Sequence, residues 1–94
     1  MEIKEGNNTF YLGDSEQHAK AEITYVEKGQ SIWIIDHTYV SKELRGQGIA
    51  ALLMEKLLAH AEANNKKIIP QCSYAAAYMQ SNKKYQSLLA DGFK

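Results

Sequence analysis

The clearest pattern in the chain is the alternation from His18 to Val26. Ala19, Ala21, Ile23 and Tyr25 fall on one face, and Lys20, Glu22 and Thr24 fall on the other. A period of two with one apolar face predicts a half-buried antiparallel strand. Two shorter β segments precede it. Ile3 stands apolar between charges, and Thr9-Phe10-Tyr11-Leu12 has strand-favouring composition. Glu5-Gly6-Asn7-Asn8 and Gly13-Asp14-Ser15-Glu16 supply turn chemistry between them, as does Lys28-Gly29-Gln30 after the alternating strand. Ser31 to Val40, rich in Ile, Trp, Thr, Tyr and Val, predicts a fourth strand. The period then becomes helical. Between Ile49 and Ala63, the residues Ile49, Leu52, Leu53, Leu57 and Ala61 form one stripe. Glu55, Lys56, His60 and Glu62 lie mostly elsewhere, and Asn64-Asn65 marks a helix stop. Lys67 to Cys72 predicts a short fifth strand, with Pro70 at an edge, an end or a bulge because it has no N–H. Tyr74 to Leu89 is helical in composition, and Asp91-Gly92 is a stop.

Four strands joined by short turns should run antiparallel. The long helix before the fifth strand permits a parallel crossover. The expected fold class is therefore α/β in the sense of an α+β mixed sheet. It has mostly antiparallel strands, a parallel strand–helix–strand crossover and a C-terminal helical segment.

Composition narrows the function classes. With 94 residues, the expectation is a single domain spanning 1–94, near the small end of the usual range of about 100–150 residues. Eleven Lys and Arg balance eleven Asp and Glu. That balance argues against a nucleic-acid binder, which normally carries a basic stripe. One Cys excludes an internal disulfide framework and a Cys-rich zinc site. No His pair has metal-ligand spacing, so no metal is expected. The apolar runs are too short for a membrane span, and the charged Met1-Glu2-Ile3-Lys4-Glu5 start does not read as a secretory signal. The expectation is a cytoplasmic protein, a monomer or weak dimer, with no nucleic-acid or membrane partner.

The chemistry concentrates in Arg45-Gly46-Gln47-Gly48-Ile49-Ala50, between the fourth strand and the helix. The first N–H groups of a helix have no intrahelical partner and sit at the positive end of its dipole. Two glycines there let the backbone approach an anion such as a diphosphate, and Arg45 adds charge. The same glycines also suit a plain strand-to-helix turn. Gly46-x-Gly48-x-x-Ala51 formally fits the dinucleotide fingerprint, but it follows apparently antiparallel strands. Gln71 and Cys72 stand where the acidic residue of that motif is required. The Gly-Lys-Ser/Thr ending of a Walker A loop is absent.

Arg45-x-x-Gly48-x-Ala50, after a β-rich strand and opening a long helix, resembles the Gln/Arg-x-x-Gly-x-Gly/Ala motif of the GCN5-related N-acetyltransferases. Asp36-His37-Thr38-Tyr39-Val40 and Ile69-Pro70-Gln71-Cys72-Ser73-Tyr74 resemble segments of a compact subfamily of small acetyltransferase-like proteins with a Pro-x-Cys-Ser segment. The resemblance runs from about Ile3 to Leu89. It implies that the protein binds acetyl-CoA (coenzyme A) and moves an acetyl group to an amine acceptor. Backbone groups of Thr38, Tyr39 and Val40 would meet the pantetheine arm. Arg45, Gly46, Gln47, Gly48, Ile49 and Ala50 would wrap the pyrophosphate, and the thioester would lie where the fourth and fifth strands splay. Charge and position suggest Lys83 or Lys84 for the nucleotide phosphates.

Transfer needs a neutral amine, a polarised carbonyl and a stabilised leaving thiolate. Cys72 would lie beside the thioester. It could accept the acetyl group, donate a proton, or simply fill space as a small buried hydrophobe. His37 is a candidate base toward the amine or toward Cys72, or a structural hydrogen-bonded His. By resemblance Tyr85 is a candidate proton donor to the departing sulfur, whereas core filling is the general role of such rings. Tyr78 and Trp33 read as packing, and His18 and His60 as solvated. Larger family members insert helices between the first two strands, where this chain has only Glu5-Gly6-Asn7-Asn8. An open acceptor site is therefore expected, and a coenzyme A-binding module without turnover is the alternative to an enzyme.

Overall fold

A computed structural model describes residues 2–93; Met1 and Lys94 of the expected domain lie outside the described residues. Strands β1 (Lys4–Gly6) and β2 (Thr9–Gly13) are joined by Asn7 and Asn8 alone. Asn8 takes a left-handed φ of 56°, which asparagine tolerates better than most residues. A 3-10 turn (Glu16–His18) leads into β3 (Ala19–Lys28), which turns back as β4 (Ile32–Val40). The chain then passes through a second 3-10 turn (Lys42–Leu44) and the glycine loop into helix α1 (Ile49–Ala63). Strand β5 (Lys67–Pro70), helix α2 (Ser73–Ser81) and a last 3-10 turn (Lys83–Leu88) complete the order.

The five strands lie in sequence order, β1-β2-β3-β4-β5. Every neighbouring pair is antiparallel except β4 and β5, which run parallel across the α1 crossover. The mixed-sheet class and its parallel crossover are as expected.

One irregularity decides which residues face inward. Thr24 lies opposite His37, but Tyr25 lies opposite Ile35, so Asp36 is an extra residue in β4. The Thr24 hydroxyl donates to Asp36 Oδ1 at 2.7 Å and ties the bulge to β3. A bulge shifts side-chain parity by one. Trp33 and Ile35 face the core before it; after it Thr38 and Val40 are half-buried, while His37 and Tyr39 are exposed.

The core lies on one face of the sheet. Phe10, Ile23, Trp33, Ile35 and Ile68 meet Leu53, Met54, Leu57 and Leu58 of α1, and Ala75 and Met79 of α2. Each fully buried Leu or Ile contributes roughly 1.5–3 kcal/mol. Leu52 departs from the expected stripe and is 45 % exposed. The 53/57/61 and 54/58 rows take the contact, and Leu52 lies one step around the helix from them. His60 also departs from the solvated reading. Its ring lies 5.3 Å from that of Phe10 and 6.1 Å from that of Trp33, and its Nε2 lies 3.4 Å from Glu5 Oε2. Because α1 crosses β2, β3 and β4, its last turn meets the Phe10–Tyr25–Trp33 stack. His18 is exposed as expected but ends the 3-10 turn rather than lying in a strand. The expected Tyr74–Leu89 helix breaks at Asn82, whose side chain donates to the Tyr78 carbonyl at 2.7 Å and closes α2.

Candidate functional site

The site begins where β4 and β5 part. Their ladder runs from Ile32/Lys67 to Ile35/Pro70. Proline offers no N–H to continue it. The strand therefore ends there, two residues short of the expected Cys72. The amides of Gln71 and Cys72 both donate to the Ile35 carbonyl, at 3.0 and 3.1 Å, as the chain turns away from β4. Beyond that point Asp36 to Val40 have β3 on one side and, among the described residues, no strand on the other.

Cys72 occupies this fork as the N-cap of α2. Its extended backbone (φ −79°, ψ 147°) turns the sulfur back on the helix, where it accepts the Ala75 N–H at 3.3 Å. The Thr38 hydroxyl lies 3.1 Å from the same sulfur. Half-buried Cys72 thus has two partners, one from β4 and one from the helix it caps.

The glycine loop forms the adjoining wall. Gly46 and Gly48 have φ of 81° and 74°. The left-handed region costs a residue with a Cβ about 1–2 kcal/mol. A Cβ at either position would meet no neighbouring atom, so backbone conformation rather than crowding demands glycine. Gly48 caps α1 without a side-chain acceptor, and no Asp or Glu stands in the first turn. The first amides of α1 therefore face outward at the positive end of the helix dipole. Arg45 Nε donates to the Val40 carbonyl at 3.2 Å, anchoring an otherwise exposed side chain beside those amides. A cleft of about 280 Å³ follows, lined by Val40, Leu44, Arg45, Gly46, Gly48, Ile49, Ala50, Ala51 and Tyr74. A larger hollow of about 490 Å³ lies against Pro70, Met79, Gln86 and Phe93. It includes none of the loop, so size alone does not mark the chemistry.

The remaining sequence candidates divide. Thr38 meets Cys72. Val40, Arg45, Gly46, Gly48, Ile49 and Ala50 line the loop cleft with Tyr74, while Gln47 turns its amide to the Glu43 carbonyl at 3.3 Å. His37 does not meet Cys72. The bulge turns it to the opposite face, where its Nε2 lies 3.5 Å from Glu22 Oε2 and its side chain is 53 % exposed. Tyr39 is exposed on that same face. Tyr85 stacks on Tyr78 at 6.1 Å, and Tyr78 lies 6.2 Å from Tyr74, so the three rings form a ladder along α2 and the last turn. The Lys84 ammonium lies 5.0 Å from the Tyr85 ring centre, and Lys83 is exposed on the same turn. Tyr74 is the residue that sequence reasoning passed over. Burial, and then the neighbouring Cys72 charge, raise its phenol above 10.0. The available signal was its place two residues after Cys72, in the first turn of the helix.

Among the described residues no group of three or more His, Cys, Asp or Glu is placed to hold a metal ion. Among the described residues no helix is long and apolar enough to cross a membrane.

Residues 9–88 match the family model described as GCN5-related N-acetyl-transferase. A solution structure of a GCN5-like protein from Staphylococcus aureus is 45 % identical, with a TM-score of 0.80, covering 95 % of this chain and 87 % of that one. A GNAT family acetyltransferase from Streptococcus pneumoniae shares the fold at 17 % identity and a TM-score of 0.52, covering 78 % of this chain and 56 % of the longer protein. No curated protein sequence matches. With four-fifths of its length inside the family model and a 45 % identical relative along nearly all of it, the chain belongs to the GCN5-related N-acetyltransferase family.

Proposed function

We propose that this protein is an acetyl-CoA-dependent N-acyltransferase of the compact Pro-x-Cys-Ser subfamily, in which Cys72 carries the acetyl group to an amine. The observation that carries the reading is the meeting of three features at the end of β4. These are a fork with an unpaired strand edge, a half-buried thiol at that fork, and an uncapped helix start beside it. The residues present fit a pyrophosphate. The amides of Gly46 to Ala50 and the Arg45 head supply donors and positive charge, and no first-turn carboxylate opposes them. Thr38, Tyr39 and Val40 lie along the edge of β4 that no strand pairs among the described residues, where the pantetheine amides would run, with the Val40 carbonyl already held by Arg45 Nε. Lys83 and Lys84 supply exposed cations for the nucleotide phosphates. When bound, acetyl-CoA supplies an activated thioester.

Cys72 attacks as the thiolate. A bond forms between Sγ and the acetyl carbon, and the bond from that carbon to the coenzyme sulfur breaks. A phenol protonates the departing sulfur and regains its proton from water before the next turnover. Tyr74 lines the cleft beside Cys72, whereas Tyr85 stands at the far end of the ring ladder. Tyr74 therefore takes this role, in place of the Tyr85 expected by resemblance. In the second half, an amine nitrogen bonds to the acetyl carbon, Cys72 leaves as thiolate, and the nitrogen gives up a proton. That proton passes to water; His37 takes no part in the step, because it lies on the face of β4 away from the thiol, 3.5 Å from Glu22 Oε2.

Incubation with acetyl-CoA followed by mass spectrometry tests this directly. One acetyl adduct on the parent protein, absent from Cys72→Ala, supports the covalent step. Transfer at the parental rate in Cys72→Ala overturns it. A second reading, a coenzyme A-binding module without efficient turnover, is favoured by one feature. Only two residues separate β1 from β2, so no inserted helix covers the acceptor face. Calorimetric binding of coenzyme A with no transfer to a broad amine panel selects that reading.

A further inference from the structure

We infer that Thr38 is a positioning residue for Cys72: its hydroxyl donates a hydrogen bond to the thiolate and holds it toward the fork. This rests on the reading of Cys72 as the acyl carrier. Thr38 Oγ1 and Cys72 Sγ are 3.1 Å apart, and the Thr38 hydroxyl makes no other hydrogen bond among the described residues. The second donor to the sulfur is the Ala75 amide at 3.3 Å, at the N-terminus of α2. Two donors converging on one sulfur from different elements suit an anion better than a neutral thiol, which has one proton of its own to place. No imidazole reaches the sulfur, because the Asp36 bulge turns His37 away and brings Thr38 in its place. The bulge thus selects a hydroxyl as the neighbour of the thiol, where strict alternation from Trp33 and Ile35 would have selected a histidine. The thiol proton passes to water, and Thr38 keeps its own proton throughout. Thr38 is also β-branched, so its rotamer is restricted on the strand and the hydroxyl is held in place.

The test is the alkylation of Cys72, the only cysteine, by iodoacetamide across pH, which requires no acyl donor. Thr38→Val keeps the branched shape and removes the hydroxyl; Thr38→Ser keeps the hydroxyl. In Thr38→Val, alkylation at neutral pH should slow about two- to five-fold, because less of the sulfur is thiolate. At strongly alkaline pH the order should reverse, since the more basic thiolate is the better nucleophile once both are ionised. Thr38→Ser should track the parent. A crossing of this kind does not arise from altered access or partial unfolding, which scale the rate in one direction. Parental rates in Thr38→Val at every pH, equal slowing in both variants, or slowing without reversal each overturn the role. Acetyl-adduct formation, measured in parallel on the parent, separates the two ideas. A crossing without an adduct keeps the Thr38 contact and rejects the acyl-carrier reading. An adduct without a crossing does the opposite.

Discussion

Two helices start at the site, and they start differently. Helix α1 begins at Gly48, in a left-handed conformation, with no side chain accepting from its first amides. Helix α2 begins at Cys72, extended, with its own sulfur accepting from Ala75. Under the proposed function, one entrance leaves its donors to an outside anion and the other uses a donor to hold the acyl-carrying sulfur, so the same terminal chemistry of unpaired N–H groups and dipole serves binding in one case and positioning in the other. The difference is local. A glycine has no side chain to fill the cap, and a cysteine has one that reaches it.

Cys72→Ala should break this comparison most sharply. We expect acyl transfer to fall on the order of a hundredfold or more, with coenzyme A affinity changed by less than about twofold. Transfer assays and calorimetry on the same protein check both. A large loss of affinity would mean that the two entrances do not divide the work.

Gly48→Val should act on the other entrance. A β-branched residue at φ 74° carries about 1–2 kcal/mol of strain, which the loop relieves by leaving its binding geometry. Coenzyme A affinity should fall about tenfold, corresponding to about 1.4 kcal/mol. Cys72 alkylation should stay near the parental rate. Equal weakening of both functions would show the entrances to be coupled.

Stability separates cap from chemistry. Serine is a favoured N-cap and alanine is not. Cys72→Ser should unfold at least as late as the parent, and Cys72→Ala should lose about 1 kcal/mol, a melting shift of about 4–8 °C in a domain of this size. Neither variant should form the acetyl thioester. Denaturation curves of the three proteins test the order; an unchanged Cys72→Ala would show that the Ala75–Cys72 contact contributes nothing to the fold.

The smallest effect is at alkaline pH. The Tyr74 and Tyr78 phenols are both raised above 10.0, chiefly by burial; for Tyr74 the neighbouring Cys72 adds to it, and for Tyr78 Glu55 does. A raised folded value means that the folded protein keeps a proton that the unfolded chain releases near 10. Their contribution is therefore complete below that pH and declines as pH rises through the folded values. Tyr74→Phe should flatten part of the decline, read as denaturation midpoints at pH 9 to 11 (about one unit either side of the free phenol value). An identical decline in Tyr74→Phe would remove Tyr74 from the neighbourhood assigned to it.

Much of this was legible in the chain. The Ala21, Ile23 and Tyr25 alternation, the helical period from Ile49, and the turn residues around Asn7-Asn8 each rest on local preference, and each element formed where its period indicated. The glycine loop was equally local, since left-handed φ selects glycine from nearby sterics alone. Pro70 is expected at an edge, an end or a bulge of its strand; it is the end, and the strand stops there instead of reaching Cys72. That boundary depends on the Ile35 carbonyl of another strand, which takes both following amides. His60 is polar by type and position, yet the Phe10 and Trp33 rings, from two different strands, pack against it and leave its side chain 37 % exposed. No single stretch contains both rings.

The sequence by itself determined the elements, the loop and the identity of the thiol, because those follow from backbone propensity and from which atoms a side chain carries. Only the tertiary structure decided what faces that thiol. Alternation along β4 points His37 inward, and Asp36, a poor strand former in an apolar run, is the one hint against it. Whether an extra residue is absorbed as a bulge depends on the register of β3 and on the Thr24–Asp36 hydrogen bond. A one-residue shift in register exchanges the two faces of a strand. It is that exchange, settled between strands and not within one, that sets Thr38 rather than His37 beside Cys72.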